Sequence, residues 1–125
     1  MQKEIWKDVR GLKKHYKVSN MGRVKSYKKR KPAILKPMKN KSGYYFVGLF
    51  FKGTSKDYLI HRLVLETFKG LGEFPKIYCN HIDCDKTNNK LSNLEWCTNV
   101  ENSKHYAEFK KTGIIKPINN ECNYI

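Results

Sequence analysis

The longest apolar stretch in this chain is Tyr44-Tyr45-Phe46-Val47-Gly48-Leu49-Phe50-Phe51, the length of a strand and far short of the ~20 apolar residues that span a bilayer. A membrane-crossing segment is therefore excluded, and no membrane partner is expected. The N-terminus, Met1-Gln2-Lys3-Glu4, lacks the apolar centre of a secretory signal, which predicts a chain kept in a reducing compartment, the cytoplasm, without disulfides. A length of 125 residues leaves room for one modest core, arranged as one compact body or as two very small modules.

The second constraint is the distribution of charge. Residues 1–60 hold 17 Lys and Arg against Glu4, Asp8 and Asp57, a net +14, whereas residues 61–125 hold nine against eight. A basic excess confined to one half creates a local field that attracts polyanions, and nucleic acid is the first candidate. Aromatic residues are interleaved with the charge (Trp6, Tyr16, Tyr27, Tyr44, Tyr45), the composition of a surface that packs a small core and lies against a sugar-phosphate backbone. Solubility alone is better served by surfaces of mixed sign.

Along the chain, Glu4–Val9 and Tyr16–Ser26 read as short strands about a turn at Asn20–Gly22. The run Lys28-Lys29-Arg30-Lys31 before Pro32 reads as a solvated loop suited to phosphate. Tyr44–Phe51 and Tyr58–Ile60 form a hairpin through Lys52–Ser55. Val64, Leu65 and Phe68 give a helical period that ends at Gly70. A strand over 77–81, a polar loop over 83–89 and a second strand at Leu94–Cys97 follow. Thr98 and Glu101 have capping-box spacing, so a helix should begin at Asn99 and stop at Gly113. From Lys116-Pro117 onward the chain reads as an extended tail.

Cys79, Cys84, Cys97 and Cys122 form no C-x-x-C pair, so zinc is not expected, although Cys79, Cys84, Cys97 and His105 are a conceivable set. The strand, loop, strand, helix unit offers different chemistry. Cleaving a phosphodiester needs a water nucleophile, a base to deprotonate it and a cation to stabilise the developing charge. His81 ends the first strand, and Asn102 lies near the capped start of the helix. If the two pack together, Asn80 and Asn102 bring carbonyl oxygens to one hard cation while His81 faces the water. The ordinary alternatives are a structural histidine and turn-forming asparagines, and Asn88 and Asn89 in particular read as turn residues.

The residues Asn80-His81-Ile82-Asp83, Asn88-Asn89, Asn93-Leu94-Glu95-Trp96 and Glu101-Asn102 resemble the HNH endonucleases of the phage and intron homing type, with Ile60-His61-Arg62-Leu63-Val64 and Phe68 similar to the segment that precedes the nuclease motif there. Residues 4–26, with Trp6-Lys7-Asp8-Val9, Tyr16–Asn20 and Gly22–Ser26, are similar to the DNA-contacting module often fused ahead of it. The resemblance implies that His81 is the general base, that Asn93 is the central asparagine of the catalytic motif, and that Asn80 and Asn102 are the metal ligands. Asp83 or Asp85 are assisting alternatives, and His105 an accessory one. Arg23, Lys25, Lys28, Lys29, Arg30, Lys31, His61 and Arg62 are the residues expected at DNA.

The expected fold is thus α+β: a small antiparallel β module over 1–58, a ββα-metal (HNH, His-Me finger) unit over 59–112 and a tail over 113–125. The expected activity is magnesium- or manganese-dependent hydrolysis of double-stranded DNA, as a nick or a double-strand break, in a bacterial or phage-infected cell, with no small-molecule cofactor. A non-catalytic DNA-binding protein derived from such a nuclease is the second reading, because both expected metal ligands are neutral. The sequence does not set the oligomeric state.

Overall fold

The structure is a computed structural model that describes residues 3–119; Cys122 and the remainder of the expected tail lie outside them. The N-terminal part is a four-stranded antiparallel sheet of β1 (Trp6–Asp8), β2 (Tyr16–Ser19), β3 (Val24–Ser26) and β4 (Ala33–Ile34) in that order. Strand alternation sorts its side chains. Tyr16, Val18 and Val24 turn inward and are buried, whereas the register that sets Asp8 opposite Lys17 and Lys17 opposite Lys25 puts these on the outer face.

A second sheet follows, with β5 (Met38–Lys39), β6 (Tyr45–Phe51) and β7 (Thr54–Leu59). The β6–β7 turn is tighter than the sequence suggests. Thr54 already pairs with Phe51, and the two turn residues, Lys52 and Gly53, both take positive φ (51° and 77°), as a two-residue hairpin turn requires. The Tyr16 hydroxyl joins the two sheets by accepting from the Phe50 amide at 2.9 Å and donating to the Phe50 carbonyl at 3.2 Å.

Helix α1 (Ile60–Lys69) buries Ile60, His61, Leu63, Val64 and Leu65 on one face and ends at Gly70, whose φ of 81° suits glycine. Beyond it, β8 (Tyr78–His81) pairs antiparallel with β9 (Leu94–Cys97), and α2 (Asn99–Thr112) completes the unit. Buried residues of both sheets (Val18, Val24, Val47, Leu49), Val9 just after β1, and residues of α1 (Val64, Leu65) and of β9 (Leu94) form one apolar cluster. The basic sheet and the β8–β9–α2 unit thus share a core through α1, and each fully buried aliphatic side chain contributes about 1.5–3 kcal/mol to it. Among the described residues no helix is long and apolar enough to cross a membrane.

The tail does not simply extend into solvent. The Ile118 and Asn119 amides and the Asn119 side chain donate to the Glu95 carboxylate, and the Lys116 carbonyl lies 2.8 Å from His105 Nε2.

Two outcomes are expected from these elements. The capping box is formed in full: Thr98 Oγ1 accepts from the Glu101 amide at 3.0 Å and the Glu101 carboxylate accepts from the Thr98 amide at 2.9 Å. Thr98→Ala should cost about 1 kcal/mol of stability, read as a fall in the denaturant midpoint with an unchanged slope. His61 is 6 % exposed, and its Nδ1 has no hydrogen-bond partner among the described residues. Burial first, then the charges of His81 and Arg62, push its pKa down to about 3. The unfolded chain therefore binds a proton at His61 below about pH 6.5 that the folded chain refuses until about pH 3, so this group destabilises the fold as pH falls through that window. His61→Phe should match or exceed the wild-type melting temperature at pH 7 and lose less of it between pH 7 and pH 5.

Candidate active site

The loop between β8 and β9 is closed by one side chain. Asn93 Oδ1 accepts from the Asp83 amide at 3.0 Å, while its Nδ2 donates to Asp83 Oδ1 and to the Asn88 carbonyl, both at 2.9 Å. Asp83 is committed to the same network, since its carboxylate also accepts from the Asp85 amide and from Asn88 Nδ2. Asp85 is taken up by the Thr87 amide and hydroxyl, and these bonds, the hydroxyl foremost, hold its carboxyl below the usual range. Both aspartates thereby act as loop organisers, which explains the density of Asp and Asn in residues 83–93.

This closed loop holds His81 against a fixed partner. His81 Nε2 lies 2.8 Å from Asn89 Oδ1, and both residues are buried. An amide oxygen only accepts, so Nε2 carries the proton of the neutral ring and Nδ1 keeps a lone pair. Burial holds the His81 pKa below its ordinary value, against the opposing pull of Asn89, Asp83 and Asp85. The ring is therefore neutral near pH 7, the protonation state of a base. Tyr44 and His61 complete an aromatic cluster, with ring centroids 5.9 and 4.9 Å from that of His81.

Asn80, His81 and Asn102 line one open pocket of about 280 Å³, together with Tyr44, Lys86 and Tyr106. Asn80 Nδ2 donates to Glu95 Oε2 at 2.8 Å across the β8–β9 pair, a bond that leaves the Asn80 carbonyl oxygen available on the other side of the amide. The buried Glu95 carboxylate also receives the three donors of Ile118 and Asn119, so the 118–119 segment braces the Asn80 amide. Asn102 sits one turn into α2, its amide bonded to the Thr98 carbonyl. Two amide oxygens beside a neutral imidazole suit a hard divalent cation. Among the described residues no group of three or more His, Cys, Asp or Glu is placed to hold a metal ion, and no Asp or Glu lines this pocket. Burial pushes the Cys97 thiol up to about 12 and raises Cys79 and Cys84 as well, so these remain protonated thiols near neutral pH. His105 lies outside the pocket lining, with Nδ1 3.6 Å from Cys84 Sγ.

The residues expected at DNA divide into two groups. On the outer face of the first sheet, Lys25 Nζ stands 4.1 Å from the Trp6 ring centre with Arg23 at 5.6 Å from the same ring, and Lys17 and Lys25 flank Tyr27. Lys17 and Lys25 oppose each other directly; like charges in that register repel, and a polyanion lying across them would relieve the repulsion. Lys28, Lys29, Arg30 and Lys31 are exposed in a bend beside this face, with Lys28 over the Phe50 ring. Arg23 is paired with Glu4, its Nε donating at 2.9 Å. The second group points elsewhere. His61 is buried within the fold, and Arg62 donates to the Ile77 carbonyl, pairs with Glu66 at 3.2 Å and covers the Trp96 ring. Both hold α1 to its surroundings.

Asn89, Glu95, Tyr44 and Lys86 lie at or directly behind the pocket, a place that sequence reasoning does not assign them. Asn89 resembles any turn asparagine, and only its burial and its 2.8 Å contact with His81 distinguish it. Glu95 lies within the segment that resembles the family, but nothing in the sequence gives it a role there beyond a charged residue inside an apolar strand.

The chain is similar to known proteins over most of its length. Residues 4–50 match the NUMOD4 motif and residues 58–104 match the HNH endonuclease family. The chain is 40 % identical over 122 residues to DNA endonuclease I-HmuI of Bacillus phage SP01, covering 93 % of this chain and 68 % of that protein. It is 36 % identical over 112 residues to the uncharacterized HNH endonuclease L245 of Acanthamoeba polyphaga mimivirus, covering 88 % of this chain and 33 % of that one. A solved structure described as DNA binding and cleavage by the HNH homing endonuclease I-HmuI superposes with a TM-score of 0.71 at 36 % identity, over 90 % of this chain and 62 % of that chain. The chain thus spans about two thirds of the I-HmuI chain and a third of the mimivirus protein. The two motifs follow each other along the chain in the order of the two parts of the fold, and the chain belongs to the HNH endonucleases of the homing type, with a NUMOD4 motif ahead of the nuclease unit.

Proposed function

We propose that this HNH endonuclease hydrolyses phosphodiester bonds in double-stranded DNA with the help of magnesium or manganese, with His81 as general base and Asn80 and Asn102 as metal ligands. The observation that carries this reading is the convergence of a neutral imidazole and two amide side chains on one open pocket. His81 Nδ1 takes the proton of the attacking water, whose oxygen forms the new bond to phosphorus as the bond to the leaving oxygen breaks. Asn93 and Asn89 keep the ring aimed throughout. A bound divalent ion supplies Lewis-acid stabilisation of the charge that develops on the phosphate and leaving oxygens. Lys86, whose ammonium lies 5.0 Å from the Tyr44 ring centre at the same pocket, adds positive charge where the phosphate enters.

The outer face of the first sheet grips the backbone through Lys25 and the Lys28–Lys31 run, with Arg23 sharing its donors between Glu4 and phosphate. These contacts position DNA and carry no base reading of their own. The free thiols Cys79, Cys84 and Cys97 are in keeping with action in the cytoplasm of a bacterial or phage-infected cell. A DNA-binding protein without catalysis is the competing reading, and the lack of a carboxylate in the pocket lining favours it.

Supercoiled plasmid incubated with the protein and magnesium separates the two. Nicked or linear product that needs the metal, and that falls about 10²–10⁴-fold in rate for His81→Ala while DNA affinity holds, is the expected result. Retained binding without cutting across several DNAs and divalent ions would favour the non-catalytic reading. Lys25→Ala should weaken binding to all DNAs alike and lower the slope of log affinity against log salt by about one.

A further inference from the structure

We propose that the Ser19–Gly22 turn of the basic sheet belongs to the machinery that aims His81, and that Gly22 is a positioning residue for cleavage. This rests on the nuclease reading above for its catalytic consequence, and on contacts alone for the link itself.

The Asn89 side chain that holds the base needs a backbone held equally firmly, and the turn between β2 and β3 provides it. A Cβ placed on Gly22 would stand 2.9 Å from the Asn89 carbonyl oxygen and 3.0 Å from its carbonyl carbon and Cβ. Two of those three atoms are backbone, which cannot rotate out of the way, so Asn89 has settled onto a surface that only glycine leaves open. One residue pair further, the Leu91 amide donates to the Asn20 carbonyl at 2.8 Å. The turn is itself rigid. Ser19 Oγ accepts from the Met21 and Arg23 amides, Asn20 Oδ1 accepts from the Ile5 amide at 2.8 Å, Asn20 Nδ2 donates to the Lys3 carbonyl, and Ser19 and Asn20 are buried.

The hairpin that carries Arg23 and Lys25 on its outer face therefore presses its turn against the loop that carries the partner of the base. DNA seated on that face and the His81 ring are joined by a short run of links: Arg23 follows Gly22 in the chain, Gly22 abuts the Asn89 backbone, and the Asn89 side chain bonds His81. A shift of an ångström or less in Asn89 breaks a 2.8 Å hydrogen bond and frees the imidazole to rotate, and misplacement on that scale can lower rates by about 10²-fold.

Gly22→Ala tests this, with Gly11→Ala as its control. Both glycines have positive φ (86° and 78°), so alanine strains the backbone at either, but a Cβ at Gly11 meets nothing within 4 Å. On plasmid DNA cut by the wild type, Gly22→Ala should lower the single-turnover rate at saturating protein by about 10- to 100-fold, with DNA affinity in EDTA changed less than about threefold, whereas Gly11→Ala should change neither by more than about threefold. In a His81→Ala background Gly22→Ala should cause no further loss. Nitrogen chemical shifts of the His81 ring supply a readout free of catalysis: a single Nε2–H tautomer in the wild type and in Gly11→Ala, a mixture in Gly22→Ala. Should Gly22→Ala fail to fold, Asn89→Leu leaves the turn untouched and must show the same rate loss and tautomer mixture. Wild-type rate and tautomer in Gly22→Ala, or equal losses in both glycine variants, would overturn the proposal. A wild type that never cuts, with the tautomer still altered in Gly22→Ala, would support the link and overturn the nuclease reading.

Discussion

Asn93 stands ten positions after Asp83, and its side-chain amide draws that span into a closed loop with three hydrogen bonds. The site depends on this closure. With both ends of the loop fixed, β8 and β9 pair residue for residue from Tyr78–Cys97 to His81–Leu94, His81 meets Asn89, and Asn80 meets Glu95. The chain leaving β9 enters a fully capped helix at Asn99, which delivers Asn102 to the pocket one turn later. A buried amide with all its bonds made is worth more than its individual contacts, because any lost partner leaves a desolvated polar group behind.

Both halves of the chain answer to the same core. Val18 and Val24 of the charged sheet and Leu94 of the nuclease unit belong to one cluster bridged by α1, and the Ser19–Gly22 turn lies directly on the loop between β8 and β9. The outer face of that sheet can then hold Lys17 opposite Lys25, an arrangement that costs stability in isolation, because the inner face is anchored elsewhere. The charged face of the sheet and the pocket that holds His81 are parts of one packed body in this fold.

The secondary structure was largely legible where local chemistry decides it. Thr98 with Glu101 announces the start of α2, Gly70 and Gly113 mark the helix ends, and the aromatic run at 44–51 is a strand. The tight β6–β7 turn was less legible, since Thr54 and Ser55 look like turn residues and their pairing with Phe51 and Phe50 depends on the partner strand. At the site, His81, Asn80, Asn93 and Asn102 were legible through spacing and through likeness to a family. Asn89 and Glu95 were not, because what sets them apart is burial: an asparagine five per cent exposed and a glutamate one per cent exposed are identical in sequence to solvated ones. For His61 and Arg62 the fold adds what the pair does not announce in sequence: α1 turns the one inward and ties the other to Glu66 and Ile77.

The central claim is that Asn80 and Asn102 hold the cation while Asp83 and Asp85 hold the loop. Titrating the protein with manganese and following side-chain signals by NMR tests it directly, because the paramagnetic ion broadens the groups it touches. Early, selective broadening of the Asn80 and Asn102 side-chain amides and of the His81 ring is the expected result, abolished for the whole set when Asn80 and Asn102 are both replaced by alanine. Broadening centred on Asp83 and Asp85 that survives the double replacement would contradict it.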